Sequence, residues 1–121
     1  MDELIGRLAA TVSIDDVVAE KSIGVILDFL RSEGPANQVQ ALINTIPGAE
    51  AAIRTSQDNS GLLKLMGGGL MAVGTRLMAL GLGVTEIRSL ARELFTFGRD
   101  KIGADQMGEI IARTPGLRQF A

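Results

Sequence analysis

Apolar residues recur every three or four positions along most of this chain, which is the spacing of amphipathic α-helices. Nowhere do apolar and polar residues alternate strictly, as they do in a half-buried strand. The pattern therefore predicts an all-α protein, folded as a single compact helical bundle of about six to seven helices. The predicted helices cover residues 3–12, 14–33, 35–45, 49–55, 70–80, 86–102 and 105–113.

The longest predicted helix, 14–33, has the widest apolar face. At about 100° per residue, apolar side chains fill one half of its surface, and the charged side chains fall in one sector of the other half. An arc of this width predicts a central helix that packs on more than one neighbour. The charged residues of the opposite sector are Asp16, Glu20, Lys21, Asp28 and Arg31.

Local signals mark the ends of the long helices. Ser13, with Asp16 three residues later, resembles a capping box at the start of the central helix. Gly34 suits a left-handed position just after that helix, and Pro35 suits the first turn of the next one. Thr85 is the expected N-cap of the helix 86–102.

The chain contains an internal repeat. Shifted by 68 residues without gaps, 28–48 aligns with 96–116 at seven identical and three similar positions. The alignment predicts a duplication of a three-helix unit, 1–48 and 69–116, joined by a connector, 49–68. We expect the two units to pack around a pseudo-two-fold axis within one helical domain, 1–121. The identical pairs are Phe29/Phe97, Arg31/Arg99, Ala36/Ala104, Gln38/Gln106, Ile43/Ile111, Pro47/Pro115 and Gly48/Gly116.

The least polar stretch, Leu62–Val84, has three interpretations. A transmembrane span is disfavoured, because Lys64 and Arg76 leave a charge-free run that is too short to cross a bilayer. An anion could bind at the backbone N–H groups of Gly67–Leu70, although no phosphate-binding motif follows. The favoured interpretation is a helix surface that another helix approaches closely.

That surface is predicted from a seven-residue spacing of glycines. Gly67, Gly74 and Gly81 would drift by only about 20° per step around a helix and form one narrow groove. Met71 and Met78 flank the glycines. The methionines are interpreted as core residues, with an adaptable binding surface as the alternative. These five residues are the candidate packing or interaction surface.

Composition narrows the chemistry. The chain has no histidine and no cysteine, so the usual general base and the commonest metal ligands are missing. It also lacks tryptophan and tyrosine, and its net charge is −2, so nucleic-acid binding is not expected. We predict no catalytic residues, no cofactor and no metal. The arginines are interpreted as part of a mixed, solvated face: Arg88, Arg92, Arg99 and Arg113, interspersed with Glu93, Asp100 and Glu109.

Two stretches, GGGLMAVGTRLMALGLGVTEIRSLARE and IPGAE, resemble a group of small bacterial all-helical proteins that are classed as domains of unknown function. The resemblance would cover most of the chain. It implies no known activity and supplies no catalytic residues to transfer.

We therefore expect a non-enzymatic protein–protein interaction or scaffold module, with an unknown protein partner or a second copy of the chain as a homodimer. The alternative is a carrier of a lipid or small apolar ligand that associates reversibly with membranes. The N-terminal sequence lacks the features of a signal peptide, so a cytoplasmic location is expected.

Overall fold

The structure, a computed structural model, describes residues 2–58 and 70–114, with side chains for all of these except 2, 56–58 and 70–72. This part of the chain forms helices and turns and contains no strand, so the all-α prediction is confirmed. Seven helices are present in it, as predicted. They are α1 (Asp2–Val12), α2 (Asp16–Glu33), α3 (Ala36–Asn44), α4 (Ala49–Asp58), α5 (Leu70–Ala79), α6 (Val84–Ile102) and α7 (Ala104–Arg113).

Helix α2 is the centre of the fold, as its wide apolar face predicts. It is buried without interruption from Ser22 to Leu30 and contacts α1, α3, α4 and α5. Apolar side chains from all seven helices join it in one cluster. Burial of that cluster is the main stabilising contribution, since each fully buried aliphatic or aromatic side chain contributes about 1.5–3 kcal/mol.

The charged sector predicted for α2 is wrong at one position. Asp28 is buried, because α5 packs against this side of the helix and brings Arg76 to it. The two side chains form an ion pair with 3.4 Å between Arg76 Nη1 and Asp28 Oδ2. The helical periodicity of apolar residues cannot by itself identify a buried carboxylate whose cation lies 48 residues away in the sequence.

Two predicted caps are also wrong. Helix α2 begins at Asp16, with Asp15 at the N-cap position and no side-chain capping hydrogen bond. Ser13 lies outside the helix, in a left-handed conformation with φ of 59°. Helix α6 begins at Val84 after Gly83, so Thr85 lies inside its first turn. In both cases the helix start is displaced by two residues from the predicted one, and no side-chain hydrogen bond caps it.

Gly34 ends α2 for a different reason from the predicted one. Its backbone is extended, with φ of −95°, and Pro35 precedes α3 at the N-cap position. A Cβ at Gly34 would lie 2.7 Å from the Leu30 carbonyl oxygen and 2.8 Å from Thr114 Oγ1. Glycine is needed here because the end of α7 approaches closely, not because the backbone is left-handed.

The first helix of each half of the chain packs on the long helix of the other half. Helix α1 contacts α6, and α5 contacts α2. Helices α3 and α7 also touch each other, while α4 has its most extensive contact with α2. The two halves therefore form one packed body through crossed contacts.

Within residues 2–58 and 70–114, no helix combines the length and the apolarity that crossing a bilayer requires. Several sequence predictions concern residues beyond this description. They are residues 59–68 of the connector, which include Gly67 of the predicted glycine groove, the side chain of Met71, and Pro115 and Gly116 of the repeat.

Candidate interaction surface

The outward face of α5 and the turn at 80–83 form an exposed surface that continues into the start of α6. Two large apolar side chains stand out from it: Met78 is 53% exposed and Val84 is 55% exposed. Such side chains are ordinary when scattered singly, but a group of them on one surface is typical of an interaction site. We call this the α5 surface. It consists of Gly74, Thr75, Met78, Ala79, Gly81, Gly83 and Val84.

No residue of the α5 surface is itself charged, but the Glu86 carboxylate borders it at Gly83, where a Cβ would lie 2.6 Å from Glu86 Oε2. Arg76 is the only charged residue between positions 74 and 85, and its side chain, 11% exposed, turns inward to Asp28. The Asp28 side chain is itself 5% exposed, so the ion pair leaves little charge at the surface. The exposed residues of α6, by contrast, include several arginines. The α5 surface therefore differs in electrostatics from the long helix beside it.

The predicted glycine groove is not continuous along one helix. Helix α5 ends at Ala79, and Gly81 lies in the following turn with φ of 96°, a conformation that favours glycine. A Cβ added at Gly74 or Gly81 would meet no described atom within 4 Å. The described residues therefore supply no closely packed helix at these glycines, and their contact with a partner remains a prediction.

Three of the five predicted site residues lie on this surface with described positions: Gly74, Met78 and Gly81. The core interpretation of Met78 is wrong, because its side chain is half exposed. Sequence reasoning missed Thr75 and Val84. The uninterrupted absence of charge from 77 to 85 could have identified Val84, since such a run is unusual for exposed residues, whereas no sequence signal marks Thr75.

A separate open groove of about 340 Å³ lies between α1 and the start of α2. It is lined by Ile5, Gly6, Asp16, Val17 and Glu20, so carboxylates face it and Met78 does not. A mixed groove of this kind differs from the apolar cavity that a lipid carrier would need.

Among the titratable groups of the described residues, one is clearly perturbed. Arg31 Nη2 donates a hydrogen bond of 2.8 Å to Glu50 Oε2, and this contact lowers the pKa of the Glu50 carboxyl below its usual value. The pair joins α2 to α4 at the surface. Among the described residues there is no group of three or more histidine, cysteine, aspartate or glutamate side chains that could hold a metal ion.

Neither a protein-family model, nor a curated protein sequence, nor a solved structure matches this chain.

Proposed function

We propose that this protein is a non-enzymatic interaction module that pairs with a second copy of itself through the α5 surface. The observation that carries the proposal is the exposure of Met78 and Val84 on a surface whose own residues are uncharged. Two-fold pairing places the same patch on both sides of the interface. A patch of uncharged residues meets less like-charge repulsion from its own copy than a face rich in arginine would.

Met78→Glu is expected to weaken dimerisation. The unmodified protein should form dimers, and the variant should have a dissociation constant raised at least ~10-fold, or about 1.4 kcal/mol. The reason is that the substitution places a carboxylate on both sides of the contact, where it loses water. Sedimentation velocity with interference optics measures this, because the chain has no tryptophan or tyrosine for absorbance detection.

Val17→Glu is the matched control. Val17 is 61% exposed but lies near the start of α2, outside the α5 surface, so its replacement should leave the dimer unchanged. A protein that sediments as a monomer up to its solubility limit would contradict the proposal, as would equal effects of the two variants. Lipid that copurifies in native mass spectrometry would instead favour the carrier alternative.

We also propose that the fold arose by duplication of a three-helix unit. Adding 68 to the bounds of α1, α2 and α3 gives 70–80, 84–101 and 104–112. The observed α5, α6 and α7 cover 70–79, 84–102 and 104–113. The crossed packing of α1 on α6 and of α5 on α2 is what a pseudo-two-fold axis would generate.

Ion pairs support the same interpretation. Arg7 of α1 reaches Glu93 of α6 at 3.7 Å, and Arg76 of α5 reaches Asp28 of α2 at 3.4 Å. In each case an arginine on the first helix of one unit meets a carboxylate on the long helix of the other unit. Superposition of 2–44 on 70–112 in a crystal structure tests the duplication, and halves with different helix directions would refute it.

A further inference from the structure

Three exposed arginines form a row on the outer face of α6. At about 100° per residue, Arg88, Arg92 and Arg99 lie within an arc of about 40°. At ~1.5 Å per residue the row is about 16 Å long. We call it the arginine row. Arg88 lies one helical turn after Val84, so the row begins where the α5 surface ends.

Charge is segregated on α6, contrary to the mixed face that the sequence predicts. Glu93 and Asp100 turn toward α1, where they lie 3.7 and 3.8 Å from the Arg7 guanidinium. Within the part of the chain that the structure describes, no carboxylate lies within 4.0 Å of the guanidinium groups of the arginine row. The row is thus a cationic surface to which the described side chains supply no counterion.

The duplication proposed above identifies the corresponding face of α2. The 68-residue shift matches Arg99 with Arg31, Arg92 with Gly24 and Arg88 with Glu20. Helix α4 covers this face of α2 at Gly24 and Arg31, whereas Glu20, one turn earlier, is exposed. Gly24 lies against the backbone of Ala52, and Arg31 donates its 2.8 Å hydrogen bond to Glu50 of that helix.

The arginine row is thus the counterpart of a face that takes a helix carrying a carboxylate. In the second unit the corresponding arginine, Arg99, is exposed, and so is Arg92 where α2 has buried Gly24. Because Arg92 stands where α2 has Gly24, a helix could not approach α6 as closely as α4 approaches α2. Side-chain ion pairs would replace backbone contact there.

We propose that the arginine row is a docking site for an acidic amphipathic helix of a partner protein. The choice of a helix rests on the proposed duplication, and the choice of an acidic one rests on charge complementarity with the three guanidinium groups. Guanidinium groups bind carboxylates through paired, directional hydrogen bonds, so glutamates four residues apart on one helix face would suit the row. The chain's overall negative charge, −2, weakens long-range attraction to nucleic acid.

A synthetic peptide tests the proposal on the full chain. The probe is an alanine-based helix of about 20 residues, long enough to be helical in water, with glutamates four apart on one face and a terminal tryptophan. Because the protein has no tryptophan, the fluorescence anisotropy reports on the peptide alone. We expect saturable binding that weakens as salt is added.

The variants separate the arginine row from general charge. Arg92→Gln combined with Arg99→Gln should weaken peptide binding at least ~10-fold, as expected for loss of two charge-assisted contacts. Arg113→Gln is the control, because Arg113 is exposed on α7, outside the row, and its loss should change binding less than twofold. The reversed variant, Arg92→Glu with Arg99→Glu, should bind a peptide that carries lysines in place of the glutamates.

Three results would overturn the proposal. The first is equal peptide binding by the double variant and the unmodified protein, and the second is no peptide binding by the unmodified protein. The third is arginine-dependent binding of phosphatidylglycerol vesicles or a single-stranded oligonucleotide without binding of the peptide. Met78→Glu should leave peptide binding unchanged, so failure of the dimer and failure of this site are distinguishable.

Discussion

Replacing Gly24 by alanine is expected to destabilise the protein by about 2 kcal/mol. A Cβ at this position would lie 2.3 Å from the Ala52 carbonyl oxygen and 2.7 Å from its carbonyl carbon. Both atoms belong to the backbone, so the clash cannot be relieved by rotation of a side chain. Helix α4 has to move away from α2, and overpacking of this kind costs about 1–3 kcal/mol or more.

The expected loss of stability has the opposite sign to the effect of helix propensity. Alanine is favoured over glycine in a helix interior by about 1 kcal/mol, so the measured loss is the cost of the clash between α2 and α4 minus that gain. Urea denaturation followed by the helical circular dichroism signal gives the free energy of unfolding. A larger side chain, as in Gly24→Ile, should cost more than alanine does.

Gly108→Ala is the matched control. Gly108 also lies within a helix, α7, but it is exposed, and a Cβ there would meet nothing within 4 Å. We expect this substitution to stabilise the protein by about 0.5–1 kcal/mol, the gain in helix propensity. If both alanine variants raise the free energy of unfolding, the close approach of α4 to α2 at Gly24 is wrong.

Local periodicity predicted the helices well because most of them bury a single apolar side. The ranges 86–102 and 105–113, for example, differ from α6 and α7 by two residues or fewer at each end. The predicted centre of the fold, α2, was identified from the width of its apolar face. Periodicity carries this information because amphipathic helices differ mainly in how much of their circumference is covered.

What periodicity missed are contacts between residues far apart in the chain. Gly24 and Gly34 look like ordinary helix weak points, yet each is required by the approach of another helix or its end. Asp28 looks exposed because its pairing partner, Arg76, belongs to the other half of the chain. No window of local sequence contains both members of such pairs.

The candidate site was predicted in part for the same reason. Gly74, Met78 and Gly81 were selected for their spacing on one helix, but α5 ends before Gly81. They share a surface because the chain turns there, not because of a helical row. The arginine row was interpreted as mixed because Glu93 lies within it in sequence, and only tertiary structure shows that Glu93 turns to Arg7.

Replacing Arg76 by methionine is expected to cost about 3 kcal/mol of stability. The side chains of Arg76 and Asp28 are 11% and 5% exposed, so the substitution leaves the carboxylate of Asp28 buried without this cation. Removing one member of a buried ion pair typically costs about 3–5 kcal/mol. The lower end of that range fits here because the two atoms are 3.4 Å apart, longer than a strong charge-assisted hydrogen bond.

Arg7, which joins α1 to α6 by an ion pair as Arg76 joins α5 to α2, supplies the control. Arg7 is 34% exposed and bridges Glu93 and Asp100 at 3.7 and 3.8 Å, so Arg7→Met should cost less than about 1 kcal/mol. Both variants are measured by urea denaturation, and equal losses would contradict the burial of the Asp28–Arg76 pair.

A double variant separates the ion pair from simple packing. Asp28→Asn added to Arg76→Met removes the buried carboxylate that had paired with Arg76, so the double variant should be more stable than Arg76→Met alone. If the two losses instead add, the carboxylate and the guanidinium act independently. The expected recovery would mean that a buried ion pair, rather than apolar contact alone, fixes where α5 lies on α2. Since Met78 follows Arg76 by two residues on the same short helix, that pair would also determine how the α5 surface is presented to a second copy.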